Sequence, residues 1–247
     1  MTFLSIFVKP APAKAGVIET DYGLPLTAGS ACGKIQDTFH SEYLGNIYDP
    51  IATMKINPSH IGFDIDGVVA DTSEAFIRLA KEDYDIDIRP EELTDFLAEE
   101  CLTVSPAIIA EIFDRLLKTP LAIDLKPIPH ATSVLRELAM TSTLTFITAR
   151  PDPEPITAWL ENHLGAAAFA GAQIVATGDH DGKAPHIRRF GLNYFVDDRH
   201  LTCNLLAKEP GITPIVYSQP WNRGRHTLNS VESWQEIRLL CLDREAP

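Results

Sequence analysis

Apolar residues recur with two different periods along the chain. In residues 60–69, Ile61, Phe63 and Ile65 occupy every second position, as in a β-strand with one face toward a core. From Ser73 onward the apolar residues recur in pairs about one helical turn apart, which is typical of an amphipathic helix. The pattern therefore predicts a strand followed by a helix.

A regular alternation of strand and helix continues after Pro129. The pattern predicts strands at residues 144–148, 173–176, 194–196 and 212–217, and helices at residues 132–140, 154–163, 184–190, 201–208 and 231–240. Strands separated by helices form a parallel sheet that is covered on both faces. We therefore predict an α/β fold with a doubly wound parallel sheet, in which ligands bind at the carboxyl ends of the strands.

Residues 73–122 interrupt this alternation. Helical patterns at residues 91–100 and 106–117 follow the first helix without a strand signal between them. We interpret residues 73–122 as a small helical cap inserted into a core that comprises residues 60–72 and 123–247.

Residues 1–59 have no sustained period and contain Pro10, Pro12, Pro25 and Pro50. This pattern predicts an irregular N-terminal extension, of which residues 1–53 should be dispensable for folding. A second interpretation is that Met54 is the true start, since it lies just ahead of the first strand.

The net charge of -13 bears on the partner. A nucleic-acid polymer would be repelled by this field unless a local basic patch opposed it, so we expect a small anionic substrate. The four cysteines form no C-x-x-C pair, which favours a reducing compartment such as the cytoplasm. No apolar run reaches the roughly 18 residues of a membrane span, so no membrane partner is expected.

The end of the first predicted strand carries Asp64, Asp66 and Gly67. Two carboxylates two residues apart point the same way, which suits a Mg²⁺ ion and places a nucleophile beside a proton-transfer group. A solvated turn and a calcium-binding loop are the alternatives. The apolar strand before the motif disfavours the first, and an EF-hand loop needs its glycine at the sixth position rather than the fourth.

Later strand ends and helix starts carry further polar residues. Thr148 and the backbone of Ala149 can hold a phosphate oxygen, and Lys183 can neutralise phosphoryl charge. The adjacent carboxylates of Asp197 and Asp198 repel each other, which favours a cation between them. Taken singly, each has an ordinary alternative: a strand threonine, a solvated lysine or a helix N-cap.

Two other patterns are less informative. Residues 179–182 repeat the D-x-D-G text but do not follow an apolar strand, so we predict a loop. The eight histidines show neither H-x-H nor H-E-x-x-H spacing, which disfavours a zinc site.

The order of the strand-end motifs resembles the haloacid dehalogenase-like (HAD) superfamily over residues 60–222. The resemblance implies a HAD-like Rossmannoid core with a helical cap and a Mg²⁺-dependent phosphohydrolase that works through an aspartyl-phosphate. It further implies that Asp64 is the nucleophile and that Asp66 is the general acid and base.

The resemblance also implies the metal and phosphate contacts. Mg²⁺ is held by the Asp64 carboxylate, the Asp66 backbone carbonyl and Asp198, with Asp197 in support. The groups that hold the phosphoryl oxygens are Thr148, Ala149 and Lys183.

A narrower resemblance, to the 5'(3')-deoxyribonucleotidases and their bacterial relatives, involves residues 125–129, 159–165 and 219–222. It implies nucleoside monophosphates as substrates. The chain departs from the animal enzymes at Thr72, where they carry an aromatic residue, and at Ala149-Arg150-Pro151. A sugar phosphate or other small phosphate ester therefore stays an alternative substrate, and a non-catalytic phosphate- or magnesium-binding module is a distant alternative.

A nucleobase needs a planar partner for stacking. The cap aromatics are Phe76, Tyr84, Phe96 and Phe113, and three of them have the helical spacing of core residues. We expect stacking from Tyr84, another cap residue or Trp221, and hence weak discrimination among bases and no strong need for the 2'-deoxy form.

Overall fold

The apolar segments predicted as strands lie side by side in one parallel sheet. The computed structural model describes residues 54–242. Within them the sheet has the order β3-β2-β1-β4-β5-β6, with each neighbouring pair parallel. The strands are β1 (Ile61–Phe63), β2 (Thr145–Thr148), β3 (Gln173–Ala176), β4 (Tyr194–Asp197), β5 (Thr213–Tyr217) and β6 (Ser230–Val231). The predicted doubly wound parallel sheet is confirmed.

Helices connect the successive strands from β1 to β5, and a further helix follows β6. They are α1 (Thr72–Tyr84), α2 (Ala98–Cys101), α3 (Pro106–Lys118), α4 (Ala131–Ala139), α5 (Glu154–Leu164), α6 (Ala166–Phe169), α7 (Ala184–Arg189), α8 (His200–Leu206) and α9 (Trp234–Cys241). Short 3-10 helices lie at Pro58–His60 and Pro90–Glu92. No helix within residues 54–242 is both long enough and apolar enough to cross a membrane.

Two details of the predicted elements are wrong. Residues 91–100 do not form one helix, because Arg225 binds the Asp95 carboxylate and the Thr94 carbonyl, each over 2.8 Å, in a non-helical segment. Val231 belongs to strand β6 rather than to the last helix. That helix begins only at Trp234, because the Ser233 side chain caps it.

The start of the described region packs on the core. Ile56 is buried, and its amide donates to the Leu240 carbonyl in α9 over 2.8 Å. The predictions for residues 1–53 lie outside the described residues. The division into extension, core and cap stays a prediction.

Strand β1 occupies the centre of the sheet between β2 and β4. The chain leaves β1 toward β2 and β3, and then returns to the other side of β1 at β4. At such a reversal the connections leave the sheet in opposite directions, which opens a crevice at the carboxyl ends of the strands. The sheet therefore presents the residues that follow β1, β2 and β4 at one edge.

The stretch between β1 and α4 places helices over this edge. Helix α1 packs against α3, and the rings of Phe76 and Phe113 meet with their centroids 5.3 Å apart. Arg78 in α1 donates to the carbonyls of Ile123 and Asp124, over 3.0 and 3.2 Å, where the chain returns to the sheet. Within residues 72–118, the described elements are helical.

Buried aromatic residues stabilise the centre of the fold. Trp234 stacks at an angle on Phe63, with ring centroids 5.2 Å apart, and its indole N–H donates to the Val68 carbonyl over 2.7 Å. Trp159 donates in the same way to the Leu125 carbonyl over 2.7 Å. Truncating a buried aromatic of this kind to alanine costs about 3–5 kcal/mol. These contacts fix the β1 segment from which the site is built.

Candidate active site

Three buried carboxylates converge at the carboxyl ends of β1 and β4. The Asp64 amide donates to the Val196 carbonyl over 2.8 Å, so the pairing of the two strands continues to the first aspartate. Asp64, Asp197 and Asp198 each place a carboxylate oxygen within 4.8 Å of the others. The parallel register thus brings together residues that are more than 130 positions apart in sequence.

Lys183 lies against this group from the start of α7. Its ammonium Nζ is 2.6 Å from Asp64 Oδ2 and 2.7 Å from Asp197 Oδ2, and its side chain is fully buried. The same ammonium lies 5.4 Å from the ring centroid of Phe195. A buried charge must be paired and hydrogen-bonded, and this lysine meets both conditions.

The charges of this cluster do not balance, because three carboxylates face one ammonium. Burial raises the pKa of Asp64 to about 7, since the repulsion from Asp197 and Asp66 adds to it and the attraction of Lys183 only partly opposes it. Burial and the neighbouring carboxylates also raise the pKa of Asp198 well above its ordinary value. For Lys183, burial lowers the pKa, but the carboxylates of Asp197 and Asp64 outweigh it and raise the pKa.

The raised pKa values of Asp64, Asp198 and Lys183 have one physical cause. A single ion pair would lower the pKa of its carboxyl group, whereas here the lysine is shared and the surplus carboxylates repel one another. The cluster therefore has an affinity for a further positive charge. Its donors are all oxygen atoms, which is the donor set that Mg²⁺ and Ca²⁺ prefer. The residues present thus fit a hard divalent cation.

Asp198 is held in place by the segment between β5 and β6. The Trp221 indole N–H donates to Asp198 Oδ2 over 3.0 Å, and the Asn222 amide donates to the Asp198 carbonyl over 2.7 Å. Both oxygens of Asp197 accept hydrogen bonds, Oδ2 from Lys183 over 2.7 Å and Oδ1 from the Arg199 amide over 2.8 Å. The two adjacent aspartates therefore differ in what occupies their oxygens.

Asp66 is held differently from the other aspartates. The Arg150 guanidinium donates from Nε to Asp66 Oδ2 over 2.8 Å and from Nη2 to Oδ1 over 2.7 Å. The Thr72 hydroxyl adds a third hydrogen bond, to Oδ1 over 2.8 Å. Burial alone would raise the pKa of Asp66, but the charge and hydrogen bonds of Arg150, with those of Thr72, lower it. The Asp66 carboxylate is thus engaged outside the group of Asp64, Asp197 and Asp198.

Gly67 lies in the turn between Asp64 and α1. Its φ is +68°, in the left-handed region that favours glycine. A Cβ atom at this position would lie 2.4 Å from Asp198 Oδ2. The Gln219 side chain donates to the Gly67 carbonyl over 2.7 Å and holds the turn against the segment after β5. Gly67 thus allows Asp198 to lie directly against the first motif.

Thr148 and Ala149 end β2 on the other side of Asp64. Thr148 is buried, and its hydroxyl accepts a hydrogen bond from the Arg150 amide over 3.3 Å. Both residues line the same cavity as Asp64. The structure therefore places Thr148 and Ala149 beside the carboxylate cluster, as the sequence predicts, while Lys183 lies below it as a buried counter-charge.

A cavity lies above these residues, and its empty space together with the open solvent at its mouth measures about 680 Å³. Its floor includes Asp64, Asp66 and Asp198, and its walls come from residues 72–113 and the segments after β3 and β5. The aromatic side chains on its walls are Phe76, Phe96, Phe113 and Trp221. The helical spacing of three of the aromatic residues in 73–122 indicates core positions, but Phe76 and Phe113 both belong to or pack against the core and line the cavity. Tyr84 is absent from the residues that line this cavity.

Sequence reasoning missed two contributors to the site. Arg150 follows Thr148 by two residues, which is a signal that it lies at the same strand end. His180 lies in the loop formed by residues 179–182, as predicted for that segment, and it lines the cavity with its ring edge-on to Phe96, centroids 5.1 Å apart. Nothing in the pattern of that loop indicates the contact.

Comparison with known proteins gives a family match over most of the chain. The family described as 5' nucleotidase, deoxy (pyrimidine), cytosolic type C protein (NT5C) matches residues 57–245. No curated protein matches the chain.

Solved structures that match the chain include two bacterial hydrolases. A haloacid dehalogenase-like family hydrolase from Streptococcus pneumoniae is 14% identical, with a TM-score of 0.47, and the match covers 72% of this chain and 95% of that one. A HAD-superfamily hydrolase of subfamily IA, variant 1, from Geobacter sulfurreducens is 16% identical, with a TM-score of 0.48, and the match covers 73% of this chain and 95% of that one.

Proposed function

The chain belongs to the family of cytosolic type C 5' nucleotidases, and from this premise we propose that it is a Mg²⁺-dependent phosphatase that hydrolyses nucleoside monophosphates through an aspartyl-phosphate. As a member of this family it is a phosphatase of the nucleotidase type. Beyond this family activity, we propose Mg²⁺ as the metal, an aspartyl-phosphate as the intermediate and nucleoside monophosphates as the substrates.

The observation that carries the proposal is the position of Asp64. Its carboxylate lies at the floor of an open cavity, 2.6 Å from the Lys183 ammonium and next to Asp198. A carboxylate in this setting can attack a phosphoryl group whose negative charge is offset by the cations around it. We therefore assign the nucleophile to Asp64.

In the first half of the reaction, one Asp64 oxygen forms a bond to phosphorus and the bond from phosphorus to the ester oxygen breaks. Asp66 gives a proton to the departing oxygen, which leaves as an alcohol. We propose that the Thr148 hydroxyl and the Ala149 backbone bind the phosphoryl oxygens at the rim of the cavity. The positive charge of Lys183 lies beneath them. Such preorganised donors and charges need no reorganisation during the reaction.

In the second half, a water molecule attacks phosphorus and the bond to Asp64 breaks. Asp66 accepts the proton of this water, and inorganic phosphate leaves. The lowered pKa of Asp66, which results from the hydrogen bonds and charge of Arg150 against the effect of burial, suits this proton-accepting half. For the first half, Asp66 has to take up a proton before the ester bond breaks.

The donor set supports a metal held by Asp64, the Asp66 backbone carbonyl and Asp198. Between the two adjacent aspartates, Asp197 has the supporting role, because Lys183 and the Arg199 amide engage both of its carboxylate oxygens, whereas Trp221 engages Oδ2 of Asp198. When bound, Mg²⁺ offsets the repulsion between the anionic nucleophile and the anionic substrate. Activity should vanish with a chelator and return with Mg²⁺, and full activity after exhaustive metal removal would contradict this part.

The cavity walls support a nucleoside as the leaving group. The aromatic residues that line the cavity are Phe76, Phe96, Phe113 and Trp221. Stacking of a base on an aromatic side chain contributes about 1–3 kcal/mol and tolerates different bases. We therefore expect activity on several nucleoside monophosphates, with weak discrimination among them and no strong need for the 2'-deoxy form.

The cellular setting belongs to the proposal as well. Cys101, Cys203 and Cys241 carry free thiols, which supports a reducing compartment such as the cytoplasm. The net charge of -13 supports a small phosphorylated substrate over a nucleic-acid polymer.

The substrate is tested by comparing kcat/KM for a set of nucleoside monophosphates and simple sugar phosphates at the same Mg²⁺ concentration. Replacement of Phe96 by leucine should lower kcat/KM for the nucleotides and leave the sugar phosphates unchanged, because only the nucleotides carry a base. Phe190→Leu is the matched control, since Phe190 packs against an apolar cluster that includes Ile147 and Ile187 and does not line the cavity.

Sugar phosphates that exceed the nucleotides by more than ~100-fold, or about 2.7 kcal/mol in transition-state binding, would contradict the nucleotide assignment. A sugar-phosphate phosphatase would then replace it.

A further inference from the structure

Arg150 connects three parts of the molecule through one buried side chain. It lies two residues after the end of β2, and only 1% of its side chain is exposed. Besides its two hydrogen bonds to Asp66, its Nη1 donates to the carbonyls of Leu116 and Leu117, over 3.0 and 3.3 Å. The guanidinium thus joins the sheet edge, the Asp66 carboxylate and the last turn of α3.

The α3 end of this connection is chemically well suited to an arginine. The last carbonyls of a helix have no partner within the helix and carry the negative end of its dipole. Arg150 satisfies two of them while its planar fork binds both oxygens of Asp66. A lysine ammonium cannot hold two carboxylate oxygens and two carbonyls in this planar arrangement.

Helix α3 also carries a wall of the cavity. Phe113 lies one turn before Leu117 and faces the space where the leaving group is proposed to bind. The leaving-group wall and the proton-transfer group are therefore joined by a single side chain. In the residues described, Asp66 reaches α3 through this guanidinium and reaches α1 through the Thr72 hydroxyl.

We propose that Arg150 is a positioning residue that fixes the Asp66 carboxylate relative to α3, so that the proton is delivered to the leaving oxygen of a substrate held by the cap. This inference rests on the proposed function. Arg150 itself makes no contact with the substrate. Its replacement should therefore slow only the reaction steps in which Asp66 transfers a proton.

The test is Arg150→Lys, measured with two kinds of ester. A nucleoside 5'-monophosphate releases an alkoxide that needs a proton, whereas 4-nitrophenyl phosphate releases a stable phenolate that does not. The kcat/KM value reports the steps up to the first irreversible one and so excludes hydrolysis of the intermediate. Since general acid catalysis contributes about 10²–10⁴-fold, kcat/KM for the nucleotide should fall by at least about 10-fold. For the aryl ester it should fall by less than about 3-fold.

Two further variants separate positioning from a structural role. Arg78→Lys is the matched control, because Arg78 also donates to two carbonyls at a cap boundary but does not contact Asp66. It should change both esters equally and little. In an Asp66→Asn background, Arg150→Lys should cause no additional loss, because residues that act through one another are not additive. Thermal melting of each variant verifies that it is folded.

Equal losses on both esters, or an additional loss in the Asp66→Asn background, would overturn the proposal and leave Arg150 as a structural tie. Failure of the proposed function gives a different result. If the parent chain prefers sugar phosphates, only the nucleotide assignment is contradicted. The effect of Arg150→Lys on an alkyl and an aryl ester is then compared with a sugar phosphate as the alkyl ester. A parent chain without activity on any ester would overturn both.

Discussion

The indole N–H of Trp221 donates a hydrogen bond to Oδ2 of Asp198 over 3.0 Å, so a cavity wall and a carboxylate of the proposed metal site form one unit. Side chains that hydrogen-bond to metal ligands fix their orientation, and losing one typically costs 10–100-fold in metal affinity. Trp221 therefore contributes to the metal site as well as to the cavity.

Replacing Trp221 by phenylalanine keeps an aromatic ring and removes this donor. We expect the dissociation constant for Mg²⁺ to rise by about 10-fold or more, as measured by titration calorimetry. Trp159→Phe is the matched control, because it loses an indole hydrogen bond to the Leu125 carbonyl, and neither residue belongs to the carboxylate cluster or lines the cavity. It should lower the melting temperature and leave the Mg²⁺ affinity unchanged. Equal Mg²⁺ affinities for Trp221→Phe and the parent would contradict the positioning of Asp198.

Gly67 and Gly178 offer a comparison of the same backbone conformation in two surroundings. Their φ angles are +68° and +67°, but a Cβ at Gly67 would meet Asp198 Oδ2 at 2.4 Å, whereas a Cβ at Gly178 would meet no atom within 4 Å. Gly178→Ala should cost only the left-handed strain of about 1–2 kcal/mol. Gly67→Ala should cost more and should also weaken Mg²⁺ binding. Chemical denaturation and calorimetry measure the two effects, and equal behaviour of both variants would show that the approach of Asp198 is unimportant.

The strand-end positions of the site residues can be predicted from the sequence, because the carboxyl ends of parallel strands lie at the same edge of the sheet. Asp64, Thr148 and Asp197 each end an apolar strand, so periodicity alone places them at one edge. The doubly wound parallel sheet follows from the same alternation of strands and helices, whereas the order of its strands comes only from the structure. Strand β6 is too short to show a period of two.

Contacts made by long side chains and by loops could not be predicted in this way. The reach of Arg150 to Asp66 and to α3 depends on where the cap packs, which no local pattern encodes. The contact of His180 could not be predicted from a local pattern either. Around Asp95, the bond to Arg225, which is distant in sequence, prevents the helix that the local spacing predicts.

The raised pKa of Asp64 gives a pH dependence to the metal-free protein. Burial raises this pKa from 3.8 to about 7 in the folded chain, so folding favours the protonated form. The contribution to stability is fully present below the unfolded pKa of about 4 and is lost as the pH rises through about 7. The unfolding equilibrium constant should therefore shift toward the unfolded state by up to about tenfold per pH unit in that window.

The control for this effect is Asp64→Asn, which cannot titrate. In the presence of a chelator, the difference between the parent and the variant in the free energy of unfolding should decline from pH 4 to 7. With Mg²⁺ the decline should disappear, because the metal binds the ionised carboxylates. With the chelator, a difference in the free energy of unfolding that stays constant or increases with pH would contradict our interpretation, which is that the buried carboxylates around Lys183 carry more charge than this lysine offsets.

The central claim, that Asp64 is the nucleophile of a phosphatase, is tested most directly by the turnover of Asp64→Asn on 4-nitrophenyl phosphate with saturating Mg²⁺. The control is Asp179→Asn, which changes the leading aspartate of the second D-x-D-G sequence, in an exposed loop. We predict that Asp64→Asn folds with a melting temperature close to that of the parent and loses at least about 10³-fold in kcat, while Asp179→Asn keeps the parental rate. A folded Asp64→Asn protein that hydrolyses the ester at the rate of the parent would contradict the account.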